Sequence, residues 1–149
     1  MKYFQLSRNP KISDRLCLRT SFLNQGNTMS DVTIYHNPKC STSRNVLEMI
    51  RAAGIEPEVV EYLKTPPDRA TLKKIIAATG EPVRNIMRRR GTSYDEKDLD
   101  NAKWSDAQLI DLMLEDPVLI NRPIVVTARG ARLCRPVEKL QEILPPASA

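Results

Sequence analysis

At 149 residues, 41% of them hydrophobic, the chain is long enough for one domain with a sizeable core, which Ile, Leu, Val and Met must fill because aromatic residues are few. The net charge is +5, but Lys2, Arg8, Lys11, Arg15 and Arg19 against Asp14 place most of it in residues 1–28; the nearly balanced remainder excludes a general nucleic-acid-binding signature. No apolar run approaches the roughly 18 residues of a membrane span, and three cysteines without a CxxC pair argue against a disulfide framework and for a reducing cytoplasm.

Residues 1–28 show no periodicity and lack the continuous apolar stretch of a secretory signal. They are expected to be a disordered upstream extension, with Met29 as the natural start and residues 29–149 as a single domain. Asp31 to Tyr35 is β-branched and aromatic and reads as the first strand, stopped by Asn37-Pro38. From about Thr42 to Ala53, Val46, Leu47, Ile50 and Ala53 share one helical face, and Gly54 supplies the stop. Glu58 to Leu63 reads as a second strand, parallel to the first because a helix separates them.

Thr65-Pro66-Pro67-Asp68 opens a helix with an apolar stripe of Leu72, Ile75 and Ile76, closed by Gly80. A short helix over Val83 to Arg90 should turn Ile86 and Met87 inward, and 94–104 is polar and loop-like. Ser105 and Gln108 form a capping box for a helix that runs to Pro117. Ile124 to Thr127 and Ala131 to Cys134 are two strands close enough for an antiparallel hairpin. Pro136 then starts a last helix with Val137, Leu140, Ile143 and Leu144 inward, before a frayed tail. The order is β-α-β, a helical insertion, then β-β-α: an α/β chain of thioredoxin-like topology with a mixed four-stranded sheet. Arg122-Pro123 falls where that fold commonly keeps a cis proline.

The loop after the first strand carries the chemistry. It places Cys40 at a helix N-terminus, where free backbone N–H groups favour thiolate over thiol. Lys39, Ser41, Thr42, Ser43 and Arg44 make its surroundings polar, and Arg44 can add positive charge. Cys134, beside Leu133 in an apolar strand, reads instead as core. Because Ser43 stands where CxxC would place a second cysteine, no local disulfide can close, and a resolving thiol must come from outside or from a distant cysteine. The Cys-x5-Arg loop of the tyrosine phosphatases is absent, since position 46 is Val46. His36, the only histidine, can brace the loop or help stabilise a thiolate, and spacing leaves both open. Arg84, Arg88, Arg89 and Arg90 cluster near the end of the helical block, where Arg84, Arg89 and Arg90 taken alone read as a solvated charge run, whereas Arg122 and Arg135 each precede a proline at a strand end. Guanidiniums converging on a thiolate would bind a tetrahedral oxyanion through paired hydrogen bonds.

Six segments carry a family resemblance: Ile34-Tyr35-His36-Asn37-Pro38 with Cys40, Thr42-Ser43-Arg44-Asn45, Leu47-Glu48-Met49-Ile50-Arg51, Asp106 to Asp111, Leu119 to Thr127, and Arg132-Leu133-Cys134-Arg135-Pro136. The sequence from Met29 to about Leu144 resembles the glutaredoxin-coupled arsenate reductases, a thioredoxin-fold family. The resemblance implies that Cys40 is the nucleophile, that Arg88, Arg122 and Arg135 bind arsenate, and that His36, Ser43 and Arg44 tune the thiolate. It implies glutathione as co-substrate, glutaredoxin as partner, arsenite as product, and no bound cofactor or metal. A cytoplasmic monomer without nucleic-acid or membrane partners is expected. Lys39 and Ser41 depart from the small residues that flank the cysteine in other members. Two rivals are a glutathione-dependent thiol reductase with another substrate, and an RNA-polymerase-binding regulator; the latter typically carries CxxC, absent here.

Overall fold

The computed structural model describes residues 31–145. The expectations for residues 1–28, for Met29 as the start and for the extreme C-terminal tail lie outside them. Strand β1 (Thr33–Tyr35) is followed by helix α1 (Ser41–Ala52) and strand β2 (Glu58–Val60). Helices α2 (Arg69–Thr79), α3 (Val83–Ile86) and α4 (Asp106–Glu115) form the insertion. A 3₁₀ turn at Pro117–Leu119 leads to β3 (Ile124–Thr127), β4 (Gly130–Leu133) and a terminal 3₁₀ helix, Val137–Glu142.

The four strands lie in the order β2-β1-β3-β4, with β1–β2 parallel and both other pairs antiparallel, as the sequence pattern anticipates. Side chains alternate across the sheet because successive residues of a strand point to opposite faces. Ile34 and Val125 join Val46 and Ile50 of α1 and Leu140 and Ile143 of the terminal segment on one face. Ile124 and Ala131 join Leu72, Ile75 and Ile76 of α2 and Leu109 and Met113 of α4 on the other. Each such burial contributes about 1.5–3 kcal/mol, so the central strands are held from both sides.

Local signals set the helix ends. Asp68 caps α2 by accepting from the Thr71 N–H at 2.6 Å, and Gly80 ends it in the left-handed region at φ 70°. The Ser105–Gln108 capping box opens α4 as its spacing predicts. The hairpin turns through Ala128 and Arg129 and re-enters the sheet at Gly130, whose φ of 129° disfavours any side chain.

Three expectations need correction. The helix expected over Val83 to Arg90 stops after Ile86, because Met87 forms an isolated antiparallel bridge with Ile120 and Arg88 N–H donates to Leu119 O at 2.7 Å. The polar stretch 94–104 forms turns as expected, anchored by Tyr94 and Leu99, both fully buried. The last helix is 3₁₀ rather than α; Pro136 sits at its N-cap, although Leu140 and Ile143 face inward as expected. The first two strands are also shorter than expected: β1 starts at Thr33 rather than Asp31, and β2 ends at Val60 rather than Leu63.

Candidate active site

The site grows from the end of β1. His36 N–H donates to Val60 O at 2.8 Å, continuing the pairing of β1 with β2 into the loop. Asn37 then turns the chain: its side-chain oxygen accepts from Lys39 N–H and its carbonyl from Cys40 N–H, both at 3.0 Å. Arg44 folds back to donate to Pro38 O at 2.8 Å. Cys40 emerges as the N-cap residue of α1, with extended backbone at φ −93°, ψ 120°.

Ser43 is fully buried and ties this loop to the helix. Its Oγ accepts from Asn37 N–H at 3.0 Å and lies 2.8 Å from His36 Nδ1. With one lone pair taken by Asn37, the hydroxyl proton is free to point at Nδ1, an arrangement for neutral imidazole. Burial holds His36 below the ordinary imidazole value against the opposing charge of Glu61. Through Ser43, His36 is tied to the first turn of α1.

Cys40 is 9% exposed, and burial by itself pushes its thiol up. Four opposing effects win, and the thiol lies below its ordinary value: the Ser43 backbone N–H, a hydrogen bond from Arg122, and the charges of Arg135 and Arg122. Arg135 Nη2 lies 3.3 Å from Cys40 Sγ, while its Nε donates to Arg122 O at 2.6 Å. One planar guanidinium therefore bridges the thiol and the segment that leads into β3. Arg44, expected to add charge near the sulfur, is exposed and donates to the Pro38 carbonyl, two residues before Cys40.

Arg122 is 8% exposed, and its Nε has no hydrogen-bond partner among the described residues. An N–H of a buried cation is expensive to leave unpaired, so this donor is poised for an anion. The bonds Arg122–Pro123 and Arg135–Pro136 are both cis; the first was anticipated and the second was not. Arg88 reaches the site from the insertion. It lines a cavity of about 640 Å³ together with Arg135, and its Nε donates to Arg90 O at 2.8 Å.

Sequence reasoning missed Tyr62, whose fully buried hydroxyl donates to Ile120 O at 3.2 Å close to Arg122. Burial raises its pKa, with the charge and hydrogen bonding of Arg122 opposing. A tyrosine within the run Glu58 to Leu63 was the available signal, since a buried phenol needs a polar partner. Among the described residues no group of three or more His, Cys, Asp or Glu gathers as metal ligands, and no helix is long and apolar enough to cross a membrane.

Cys134 is fully buried on the α1 face, and burial pushes its thiol up to about 12. The two cysteines should therefore separate in an iodoacetamide pH profile. Cys40 is expected to alkylate with a midpoint below the roughly 8.5 of a free thiol, and Cys134 to stay unmodified in the folded protein. An equal rate at both cysteines, read by peptide mass spectrometry, would contradict the site as described.

A cysteine capping the helix after the first strand, on a mixed four-stranded sheet with a cis proline before the third strand, defines a thioredoxin-like thiol oxidoreductase. The pattern of the ArsC family matches residues 35–143, and the chain belongs to that family. An arsenate reductase of Rhizobium meliloti (strain 1021) is 60% identical over 114 residues, covering 76% of this chain and 81% of that protein. An arsenate reductase of Escherichia coli is 57% identical over 119 residues, covering 80% and 84%. Among solved structures, an arsenate reductase from Vibrio cholerae superposes with a TM-score of 0.74 at 45% identity, covering 79% of this chain and 100% of that one.

Proposed function

We propose that the chain reduces arsenate to arsenite, with Cys40 as the nucleophile and Arg88, Arg122 and Arg135 as the substrate cations. The observation that carries this reading is the meeting of a lowered, N-capping thiol with two guanidiniums, one of them buried with an unpaired N–H. Such donors hold the oxygens of a tetrahedral oxyanion while sulfur attacks its centre. Its relatives of 57% and 60% identity, named arsenate reductases, specify the anion.

The thiolate forms an S–As bond as one arsenate oxygen leaves as water, with arsenic still As(V). A thiolate then attacks the Cys40 sulfur; an S–S bond forms, the S–As bond breaks, and its electron pair stays on arsenic, which departs as arsenite. Two thiols are oxidised and arsenic gains two electrons. Cys134 is a poor candidate for the second thiol, being buried and held protonated. Glutathione is the external thiol in this reading, and glutaredoxin then reduces the mixed disulfide on Cys40. Three cysteines without a CxxC pair support a reducing, cytoplasmic setting, and the reaction needs only one copy of the chain.

NADPH consumption coupled through glutathione reductase tests the scheme. Arsenate-dependent turnover is expected to require both glutathione and glutaredoxin. Turnover that survives omission of glutathione would remove it from the scheme. Absence of arsenate-dependent turnover, with another disulfide or oxyanion accepted instead, would favour a thiol reductase of different substrate.

A further inference from the structure

Residues 119–122, which lead into β3, are tied to all three arginines read above as substrate cations. Arg88 N–H donates to Leu119 O at 2.7 Å, and Asn121 N–H donates to Ile86 O at 2.9 Å, closing the antiparallel bridge of Met87 with Ile120. Arg122 belongs to the segment. Its N–H donates to Asn121 Oδ1 at 3.0 Å, and its carbonyl accepts from Arg135 Nε at 2.6 Å. A displacement of this one segment would therefore move Arg88, Arg122 and Arg135 together. In a bridge of this pattern the two paired residues turn their own N–H and C=O groups outward. Ile120 N–H accordingly turns back to Pro117 O at 3.0 Å, and its carbonyl accepts from the Tyr62 hydroxyl at 3.2 Å. Tyr62 lies in the turn after β2, and its ring packs in one cluster with Ile86, Met87, Leu119 and Ile120. Tyr62 and Ile120 are 0% and 2% exposed, so bulk water cannot replace that donor.

Phenylalanine would fill the same core volume, so the hydroxyl of Tyr62 calls for a reason of its own. The charge and hydrogen bonding of Arg122 act on this phenol as they act on the Cys40 thiol, so the two share a neighbour. We propose that Tyr62 is a positioning residue for oxyanion binding: its hydroxyl fixes the Ile120 carbonyl and, through residues 119–122, sets where the Arg88, Arg122 and Arg135 guanidiniums stand when the anion arrives. The assignment rests on the arsenate reductase reading for the role of those three arginines. Without the hydroxyl, a buried carbonyl loses its donor and the segment shifts to satisfy it elsewhere. The anion must then draw the segment back, so the loss falls on oxyanion affinity rather than on the rate at saturation.

Tyr62→Phe, which keeps the ring, is compared with wild type and with Thr127→Val. Thr127 Oγ1 donates to Ile143 O at 2.9 Å from the far end of β3, so its loss removes a similar hydroxyl-to-carbonyl bond away from the site. Arsenate protection of Cys40 against iodoacetamide, with no other thiol present, is read by peptide mass spectrometry beside a thermal melt. The arsenate concentration giving half-protection is expected to rise about 5-fold in Tyr62→Phe, the size of one neutral hydrogen bond, and to hold in Thr127→Val. In the coupled assay the KM for arsenate rises by a similar factor while kcat stays within about 2-fold of wild type. Unchanged half-protection in Tyr62→Phe overturns the proposal. So does an equal rise in Thr127→Val, which would make the effect one of stability alone, and so does absence of protection in wild type. Half-protection that depends on Tyr62 in a protein without arsenate turnover would refute the reduction and leave the positioning role standing.

Discussion

Replacing Cys40 with serine is expected to lower arsenate turnover by at least about 10⁴-fold, to background, while leaving the fold intact. Serine is among the favoured N-cap residues, so α1 loses nothing at its first turn and the melting temperature should hold or rise. The chemistry fails for two reasons. The donors that bring a thiol below its ordinary value, Ser43 N–H, Arg122 and Arg135, cannot ionise a hydroxyl whose starting value is far higher. A serine oxygen also cannot form the disulfide whose formation delivers two electrons to arsenic. The coupled assay and a thermal melt on the same preparation decide the matter: a wild-type rate in Cys40→Ser would remove Cys40 from the reaction.

Arg122→Lys and Arg135→Lys should each lower kcat/KM by about 10²-fold although the charge is kept. Lysine is a compact point charge and cannot present the paired donors of a guanidinium. For Arg122 the lost group includes the buried Nε that has no partner among the described residues. The link to Arg135 runs through the Arg122 carbonyl, so Arg122→Lys leaves Arg135 in position while removing paired donors from the oxyanion and weakening the hydrogen bond to the Cys40 thiol. Arg135→Lys does more. A single ammonium cannot reach both Arg122 O and Cys40 Sγ as two nitrogens of one planar group do, at 2.6 and 3.3 Å. Its alkylation midpoint at Cys40 should therefore move up along with the fall in kcat/KM. Unchanged kcat/KM in both variants would refute oxyanion binding by these arginines.

Legibility in the sequence followed the range of the forces involved. Gly80, Asp68 and the Ser105–Gln108 box act within one turn, and each stands where its pattern predicts. The position of Cys40 at the start of α1 was equally local, since a β-branched run, a loop with proline and an amphipathic run are all read from neighbours. The helix predicted to Arg90 ended at Ile86 because of a bridge to Ile120, a residue more than thirty positions away. Tyr94 and Leu99 were hidden in a polar stretch for the same reason: what buries them is the insertion packed as a whole. The direction of the Arg44 side chain was not legible in its closeness to Cys40: its guanidinium donates to the Pro38 carbonyl.

By itself, then, the amino-acid order determined the element succession, the helix caps, the single working cysteine and the lack of a local partner for it, because each depends on residues within about one helical turn or on strict alternation. Only the tertiary structure decided that Arg135, 95 positions from Cys40, touches its sulfur, that Arg122 is buried beside it, and that Arg88 and Arg90 open onto the same cavity. Those contacts arise where the β1 loop, the entry to β3 and the exit of β4 meet at one end of the sheet. A long flexible cation can point anywhere in a sequence; strand pairing and burial leave it one direction.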